Sequence, residues 1–313
     1  MGDEELYAHF MERIEKGEKI EATDWMPDDY RFLVLKFIQM HGVSEIMGAY
    51  PEKEWVPKAP NMRRKLGIMS KVQDEMGHGQ LLLRVAEELA LPLGLYREDL
   101  IHDIFTGNIK FHNVFHMAAP TWADAGVIGW LVDGAAIISQ TALLNTSYGP
   151  YARVLKRIVA EESFHMQHGE SIILAMANGT LVQRQMLQEA VNRWWESLMF
   201  FFGPCAISKS AEKMMKYKLR DKTNEELRQK FITRYVPRIH SLGLTIPDGL
   251  LSFDELTKLW SYTQPDWEHF SKIVRENAGP MSQERITLRK NALDGQSWVR
   301  EAMKRSAEQA LTI

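Results

Sequence analysis

The chain has 313 residues, of which 45% are hydrophobic and 25% charged, as in an ordinary soluble globular protein. This length can form a large core in one domain or two. The formal net charge of −3 argues against binding to nucleic acid or to a membrane surface. The single cysteine, Cys205, excludes an internal disulfide, and the acidic N-terminal segment lacks the apolar run of a signal peptide. We therefore expect a cytoplasmic protein.

The predicted elements are helices, because the alternation of β-branched and polar residues that is typical of strands is nearly absent. Residues 1–24 are polar and predict an arm or a short helix. Apolar residues recur at helical spacing over 30–49, and the prolines at 51, 57 and 60 predict the end of that helix. A second helix is predicted over 61–91, and prolines and glycines mark a connecting region at 92–121.

The third predicted helix, at 122–146, is apolar almost without interruption over residues 125–144, with Asp133 near the middle. A run of about 20 apolar residues suffices to span a membrane. An ionisable group at the centre of a lone span is costly, and the sequence shows no second span, so a buried bundle helix is the better interpretation. A fourth helix is predicted over 151–177 and another over 181–201.

Four long helices of this kind predict an all-α fold, a four-helix bundle with additional helices and a long C-terminal extension. We assign residues 1–24 to an N-terminal arm, 25–204 to the bundle and 205–313 to a helical extension that packs on the bundle or on a partner, all within one structural domain. The aromatic segment 192–204 is expected to leave apolar surface exposed, which would make the isolated chain dependent on a partner.

A repeated pattern of acids and histidines predicts a metal site. Two Glu-x-x-His pairs follow solitary acids by 30 and 29 residues, and the six residues are Glu45, Glu75, His78, Asp133, Glu162 and His165. Residues three apart share one face of a helix, so each pair can reach one metal ion. A four-helix bundle builds a di-iron or di-manganese carboxylate centre in this way. The mixed shell of carboxylate and imidazole suits iron or manganese more than zinc.

Chance has to be weighed against this pattern, because a chain with 10 histidines contains about one Glu-x-x-His pair at random. The unusual feature is the acid ahead of each pair. Asp74 and Glu161 each lie four residues before a histidine and compete as ligands, although the shared three-residue spacing favours the glutamates of the pairs. His168 lies about one helical turn after His165 and is expected to lie outside the set of ligands. The other histidines, among them His41, have no partner pattern and are expected to be structural.

Lys71 lies four residues before Glu75, on the helix face that looks into the predicted metal site. Its ammonium either reaches solvent along the surface or stays buried beside the ligands, where it can hydrogen-bond a carboxylate or supply a proton. Spacing alone leaves both interpretations open.

Several longer segments resemble the catalytic A subunits of the ring-1,2-phenylacetyl-CoA epoxidases. The segments are KVQDEMGHG (71–79), WADAGVIGWLVDGAA (122–136), TSYGPYARV (146–154), EESFHMQHGE (161–170), NRWWESLMFFFGP (192–204), TNEELRQKF (223–231) and WVREA (298–302). The resemblance runs from Trp25 nearly to the C-terminus. It implies a ferritin-like fold and a bacterial multicomponent monooxygenase. Such an enzyme uses two iron ions, O₂ and NADPH-derived electrons to epoxidise the aromatic ring of phenylacetyl-CoA in aerobic phenylacetate catabolism.

The resemblance also implies roles for particular residues. The metal ligands of the family fall on the six positions named above, and the aspartate lies in the family's own LVDGA motif. Lys71 matches a lysine that hydrogen-bonds near the diiron centre, and Glu52, in the predicted YPEKEW turn, matches an acid of the same network. Lys36 and Lys110 resemble residues near the CoA phosphates, although the family pattern has arginine where Lys36 stands.

Electrons have to come from another polypeptide. The chain has one cysteine and no G-x-G-x-x-G, so no flavin, iron–sulfur or nicotinamide motif is present. NADPH, flavin and Fe–S are therefore expected on a separate reductase. The resemblance adds a non-catalytic ferritin-like structural subunit and a small accessory subunit as partners.

Three alternatives stay open at this level. A ferritin-like protein that stores metal or handles peroxide would need no CoA site and would usually be shorter. A purely structural oxygenase subunit with a degenerate site is disfavoured, because both Glu-x-x-His pairs are intact. A radical-generating diiron protein needs a tyrosine near the metals, for which Tyr148 and Tyr151 are candidates.

Overall fold

The computed structural model describes residues 2–206 and 208–310, so residue 1 of the predicted arm and residues 207 and 311–313 of the predicted extension lie outside it. The described chain is largely helical, and the predicted all-α class is confirmed. The α-helices are Asp3–Glu15 (α1), Asp28–Lys53 (α2), Met62–Ala90 (α3), Arg97–Thr106 (α4), Trp122–Val127 (α5), Asp133–Thr141 (α6), Gly149–Ala177 (α7), Leu181–Phe200 (α8), Lys209–Lys216 (α9), Asn224–Ser241 (α10), Trp267–Glu276 (α11), Ser282–Asp294 (α12) and Ser297–Ala310 (α13). A short antiparallel hairpin pairs Ser252–Asp254 (β1) with Leu259–Ser261 (β2).

The bundle consists of two helix pairs, α2 with α3 and α5–α6 with α7, and α3 packs on α7 to close it. α5 and α6 form one continuous helix through a π-helical turn at Ile128–Val132. The second pair touches main chain to main chain, because a Cβ at Gly169 of α7 would collide with the backbone of Gly129 in the π turn. A side chain at Gly169 would therefore push the two helices apart.

The apolar third helix lies inside this bundle. Trp122–Thr141 is long and apolar enough to cross a membrane, but 78% of its apolar window is buried within the protein. Its interpretation as a core helix of a ferritin-like bundle is confirmed. The helix ends at Thr141 and not near residue 146 as predicted, because the amides of Leu143 and Leu144 bond three residues back instead of four.

Helix α2 continues past the break predicted at Pro51 and ends at Lys53. Proline inside a helix removes one hydrogen bond and costs about 3 kcal/mol when nothing offsets it. Here Tyr50, Pro51 and Glu52 are buried, and Lys71 of α3 donates a hydrogen bond to the Glu52 carboxylate. Tertiary contacts thus extend the helix, and Glu52 lies on it and not in the predicted turn.

Helices before and after the bundle contact it. In α1, Phe10 packs on Tyr30 of α2, with ring centroids 5.0 Å apart. In α10, Tyr235 packs on Trp130 of the apolar helix, with ring centroids 5.6 Å apart. α10 therefore packs on the bundle, whereas the boundaries assigned at residues 24 and 204 stay a prediction.

The aromatic segment 192–204 is mostly buried, contrary to expectation. Trp194, Trp195 and Phe200 are at most 4% exposed. α10 covers this segment, because Phe231 packs on Phe202 with ring centroids 5.7 Å apart. The sequence shows the apolar residues but not that the extension folds back over them.

Candidate metal centre

Six side chains from the four bundle helices meet in the interior. They are Glu45 from α2, Glu75 and His78 from α3, Asp133 from α6, and Glu162 and His165 from α7. All six are buried. Each Glu-x-x-His pair projects from one face of its helix, as the three-residue spacing requires. Asp133 is the first residue after the π turn, a local irregularity that is frequent at functional sites. The structure thus brings together the six residues that the sequence pattern singles out.

The oxygen and nitrogen atoms of this cluster form two overlapping groups. Within each group the atoms lie within 4.8 Å of one another, and the groups are Glu45/Glu75/His78/Glu162 and Asp133/Glu162/His165. Glu162 belongs to both, and Glu75 Oε1 also lies 3.5 Å from His165 Nδ1. Glu75 and Glu162 therefore lie between two adjacent groups of ligand atoms, and each group can hold a metal ion.

The two histidines face the cluster with Nδ1 and the outside with Nε2. His78 Nε2 bonds to Glu161 Oε2 at 2.9 Å, and His165 Nε2 bonds to Asp74 Oδ2 at 3.1 Å. A carboxylate acceptor requires Nε2 to carry the proton, which leaves Nδ1 free as a ligand. Asp74 and Glu161, which compete as ligands in the sequence, lie outside the cluster, and each orients the histidine of the other motif.

A ring nitrogen of one histidine in the cluster has no hydrogen-bond partner among the described residues. His78 Nδ1 is buried and makes no hydrogen bond among the described residues, although Glu162 Oε1 is 3.4 Å away. An unpartnered imidazole nitrogen among carboxylates is the donor set that a divalent transition metal completes, so the residues fit such an ion.

The charges of the cluster are strongly perturbed. Burial raises the pKa of Asp133 to about 7, and burial together with nearby acids raises the pKa of Glu75 well above its usual range. Burial lowers the pKa of His78, but its contacts with Glu162 and Glu45 outweigh this and raise the pKa to about 10. Acids crowded in a dry interior hold protons unless a cation neutralises them.

Lys71 supplies one such cation from the protein itself. It is 1% exposed, and its Nζ lies 2.5 Å from Glu52 Oε2, 2.9 Å from Asp133 Oδ2 and 3.4 Å from Glu75 Oε1. Burial lowers the pKa of Lys71, but the surrounding carboxylates outweigh it and raise the pKa well above its usual value. The structure therefore shows that Lys71 is buried beside the cluster and does not reach solvent along the surface.

A polar chain that the sequence did not indicate leads away from Glu45. His41 Nε2 lies 2.7 Å from Glu45 Oε1, and His41 Nδ1 lies 2.8 Å from the Tyr151 hydroxyl. His41 thus has two hydrogen-bond partners that the sequence did not indicate, one of them a residue of the cluster. The available signal was its position four residues before Glu45, one turn back on the same helix face.

A cavity of about 330 Å³ opens from the cluster. Glu45, Glu75, Asp133 and Glu162 line its inner end. Its walls carry the aromatic residues Phe37, Phe111, Phe115, Phe201, Phe202 and Phe270. Arg220 and the exposed Lys222 also line it, so the solvent end is basic. An apolar chamber with charged groups at both ends suits a ligand with an apolar head and an anionic tail.

The structure does not bring the two predicted CoA-contacting lysines to the wall of this cavity. Lys36 Nζ bonds to Asp103 Oδ2 at 3.2 Å, and Lys110 Nζ bonds to the carbonyl of Arg275 at 3.0 Å. Their chain neighbours Phe37 and Phe111 line the cavity instead. Arg220 and Lys222 were missed from the sequence, because nothing in the pattern of the extension ties it to the bundle interior.

Fold and site together define an all-α, ferritin-like bundle with a buried carboxylate–histidine cluster that can hold metal, open to an aromatic cavity. Comparison with known proteins narrows this class. Residues 8–298 match the family described as phenylacetic acid catabolic protein, and the chain belongs to this family.

Two proteins of Escherichia coli (strain K12) are similar to the chain. It is 43% identical over 294 residues to the A subunit of 1,2-phenylacetyl-CoA epoxidase, with 94% of each chain covered. It is 26% identical over 145 residues to the C subunit of the same epoxidase, which covers 45% of this chain and 56% of that protein. The resemblance to epoxidase A subunits that the sequence motifs indicated is confirmed.

Proposed function

We propose that this chain is the oxygenase subunit of a cytoplasmic 1,2-phenylacetyl-CoA epoxidase, a multicomponent monooxygenase of aerobic phenylacetate catabolism. The observation that carries the proposal is the aromatic cavity that joins the carboxylate–histidine cluster to a basic mouth. Similarity to an epoxidase A subunit over 94% of the chain supports the substrate class. A protein that only stores metal has no use for such a cavity.

The cluster would hold two iron ions. Glu45, Glu75, His78 and Glu162 would hold one, and Asp133, Glu162 and His165 the other. When bound, the iron pair supplies the activation of O₂ needed to insert one oxygen atom into an aromatic ring. The protein supplies the rest: a fixed geometry, a dry chamber and the placement of protons.

The cavity would orient the substrate with its ring inward. Its six phenylalanines would exclude water and hold the phenyl group near the cluster, while Arg220 and Lys222 would bind CoA phosphates at the mouth. Lys36 and Lys110 stay proposals for the outer part of CoA, since they adjoin the lining residues Phe37 and Phe111. Either lysine would have to leave its present hydrogen-bond partner to do so.

Lys71 and Glu52 would hold a proton beside the reacting atoms. The Lys71 ammonium donates to both Glu52 and Asp133. A charged donor at this place would keep the carboxylates oriented and could pass a proton from Nζ when water forms. Glu52 would fix the lysine by accepting its shortest hydrogen bond.

Other polypeptides would complete the enzyme. The chain carries no flavin, Fe–S or nicotinamide motif, so a reductase would bring these groups and take electrons from NADPH. The similarity to the C subunit of the epoxidase supports a ferritin-like structural protein as a second partner. A small accessory subunit is a further expected partner.

The test is NADPH-dependent turnover of phenylacetyl-CoA by the iron-loaded complex with its reductase, under ¹⁸O₂. We expect a product that gains one ¹⁸O atom, and loss of this product in Glu75→Ala. Iron content and the elution profile of the complex serve as controls for folding. A complex with two irons per chain and no oxygenated product would contradict the proposal, and a tyrosyl radical signal at Tyr151 would favour the radical alternative.

A further inference from the structure

The aromatic cavity runs along one face of helix α6 and the turn that follows it. Asp133, Ala136, Ser139, Gln140 and Leu143 line the cavity at the three- and four-residue spacing of a single helix face. Asp133 belongs to the carboxylate–histidine cluster. The inner end of the cavity therefore lies at the N-terminal end of α6.

The basic mouth lies beyond the C-terminal end of α6. The amide of Ser147, shortly after α6, donates a hydrogen bond to the carbonyl of Lys218 at 2.9 Å. Arg220, which lines the mouth, follows closely after Lys218 in the chain. A ligand that enters from the mouth therefore passes the last turns of α6 before it reaches Asp133.

Ser139 lies between these two ends. Six residues after Asp133, at about 1.5 Å of rise per residue, it is about 9 Å further along the helix axis. Its chain neighbour Gln140 reaches the cluster, since Gln140 Nε2 lies 3.4 Å from Glu45 Oε1. Ser139 therefore lines the cavity just outward of the metal ligands.

The Ser139 hydroxyl has no hydrogen-bond partner among the described residues. Serine inside a helix commonly bonds to the carbonyl four residues back, and Ser44 of the same cavity does so, to Met40 at 2.7 Å. Ser139 makes no such bond, and it is partly exposed where it lines the cavity. Alanine is the better helix former, so the helix itself gives no reason for a hydroxyl here.

The other uncharged polar side chains of the lining have partners within the protein. Tyr151 shares a hydrogen bond with His41, and His112 shares one with the carbonyl of Phe201. Three amide side chains of the lining donate to carbonyl or carboxylate oxygens, and they are Asn113, Gln140 and Asn224. Of the neutral side chains in the described lining, Ser139 therefore keeps its whole hydrogen-bonding capacity for a ligand.

The chemistry of the proposed substrate indicates which group meets Ser139. In an arylacetyl thioester, one methylene group separates the ring from the thioester carbonyl, which accepts hydrogen bonds but cannot donate them. With the ring against the cluster, the carbonyl lies just outward of it, at the level of Ser139 and among the phenylalanines of the walls. A carbonyl in an apolar chamber weakens binding unless a donor meets it.

We propose that the Ser139 hydroxyl donates a hydrogen bond to the thioester carbonyl of the substrate and so fixes the depth at which the aromatic ring enters the cavity. This inference rests on the proposed function and adds a residue that selects the substrate. The contact favours an arylacetyl thioester over thioesters with a shorter or longer spacer, because helix α6 fixes the distance from Ser139 to the cluster.

The experiment compares two ligands that differ only in the carbonyl. They are phenylacetyl-CoA and 2-phenylethyl-CoA, the thioether in which a methylene group replaces the carbonyl. Each ligand is titrated into the complete complex without reductase, so that no turnover occurs. The variants are Ser139→Ala and, as matched control, Ser210→Ala, which removes an exposed hydroxyl from α9. The readouts are the Kd and the infrared band of the ¹³C-labelled carbonyl of bound phenylacetyl-CoA, and the melting temperature of the complex checks folding.

We expect Ser139→Ala to raise the Kd for phenylacetyl-CoA by about three- to tenfold, the effect of one neutral hydrogen bond. The Kd for the thioether should not change, so the variant should lose the preference of the wild type for the thioester. The carbonyl band should lie at a higher wavenumber in Ser139→Ala than in the wild type, because a hydrogen bond weakens the C=O bond. Ser210→Ala should behave as the wild type.

An equal rise in Kd for both ligands would overturn the inference, because Ser139 would then act through packing alone. An unchanged Kd for phenylacetyl-CoA, or an unmoved carbonyl band, would also overturn it. The proposed function fails separately, since it requires oxygenated product from the iron-loaded complex. A complex that distinguishes the two ligands through Ser139 but forms no such product supports the contact and refutes the function, whereas a wild-type complex that binds neither ligand refutes both.

Discussion

The buried ammonium of Lys71 allows a quantitative test of the centre. Lys71→Met keeps an unbranched side chain of similar length but leaves Glu52 and Asp133, which Lys71 contacts at 2.5 and 2.9 Å, without their cation. Removing one partner of a buried ion pair costs about 3–5 kcal/mol, since the other charge stays buried and unpaired. Glu52→Gln should cost less, because the Lys71 ammonium keeps its contacts with Asp133 and Glu75.

The double variant discriminates between pairing and simple packing. If the two side chains act as a pair, Lys71→Met/Glu52→Gln should lose less stability than the two single variants together, by about 2 kcal/mol. The free energy of unfolding of the metal-free full chain, from urea titration followed by far-UV circular dichroism, measures this coupling. The exposed Lys16–Glu12 pair serves as control and should show none. Additive single costs would refute the buried-pair reasoning.

Three further predictions concern the same site. First, the pKa of His78 is raised to about 10. Its positive charge therefore stabilises the metal-free fold fully below about pH 6.5, and this contribution is lost as the pH rises towards 10. The melting temperature of chelator-treated protein should fall over this window, whereas the affinity for metal should rise. Second, Asp74→Asn should weaken metal binding by about 10–100-fold without removing a ligand, because Asp74 orients His165. Competition with a chelating dye measures the affinity, and an unchanged affinity would contradict the orienting role of Asp74. Third, Arg220→Ala should raise the KM for phenylacetyl-CoA more than Lys36→Ala, because of these two residues only Arg220 lines the cavity. The reverse order in steady-state kinetics would favour the CoA contacts implied by the family resemblance.

Much of the bundle is predictable because its helices are long and strongly patterned. The apolar run at 125–144 indicates a buried helix, since a lone span with Asp133 at its centre is costly. The break expected at Pro51 did not occur, because burial of the end of α2 and the contact between Glu52 and Lys71 outweigh the lost hydrogen bond. The exposed surface expected at 192–204 is covered by α10, a contact between segments far apart in sequence.

The class of the site follows from local spacing alone. Residues three apart on a helix share one face, so Glu75 projects together with His78, and Glu162 with His165. Which acids point into the cluster depends instead on how the helices pack. Asp74 and Glu161 lie in the same motifs but meet the histidine of the opposite helix, because the antiparallel register of α3 and α7 sets that pairing. The basic mouth of the cavity depends in the same way on how helices distant in sequence pack, which no local spacing encodes.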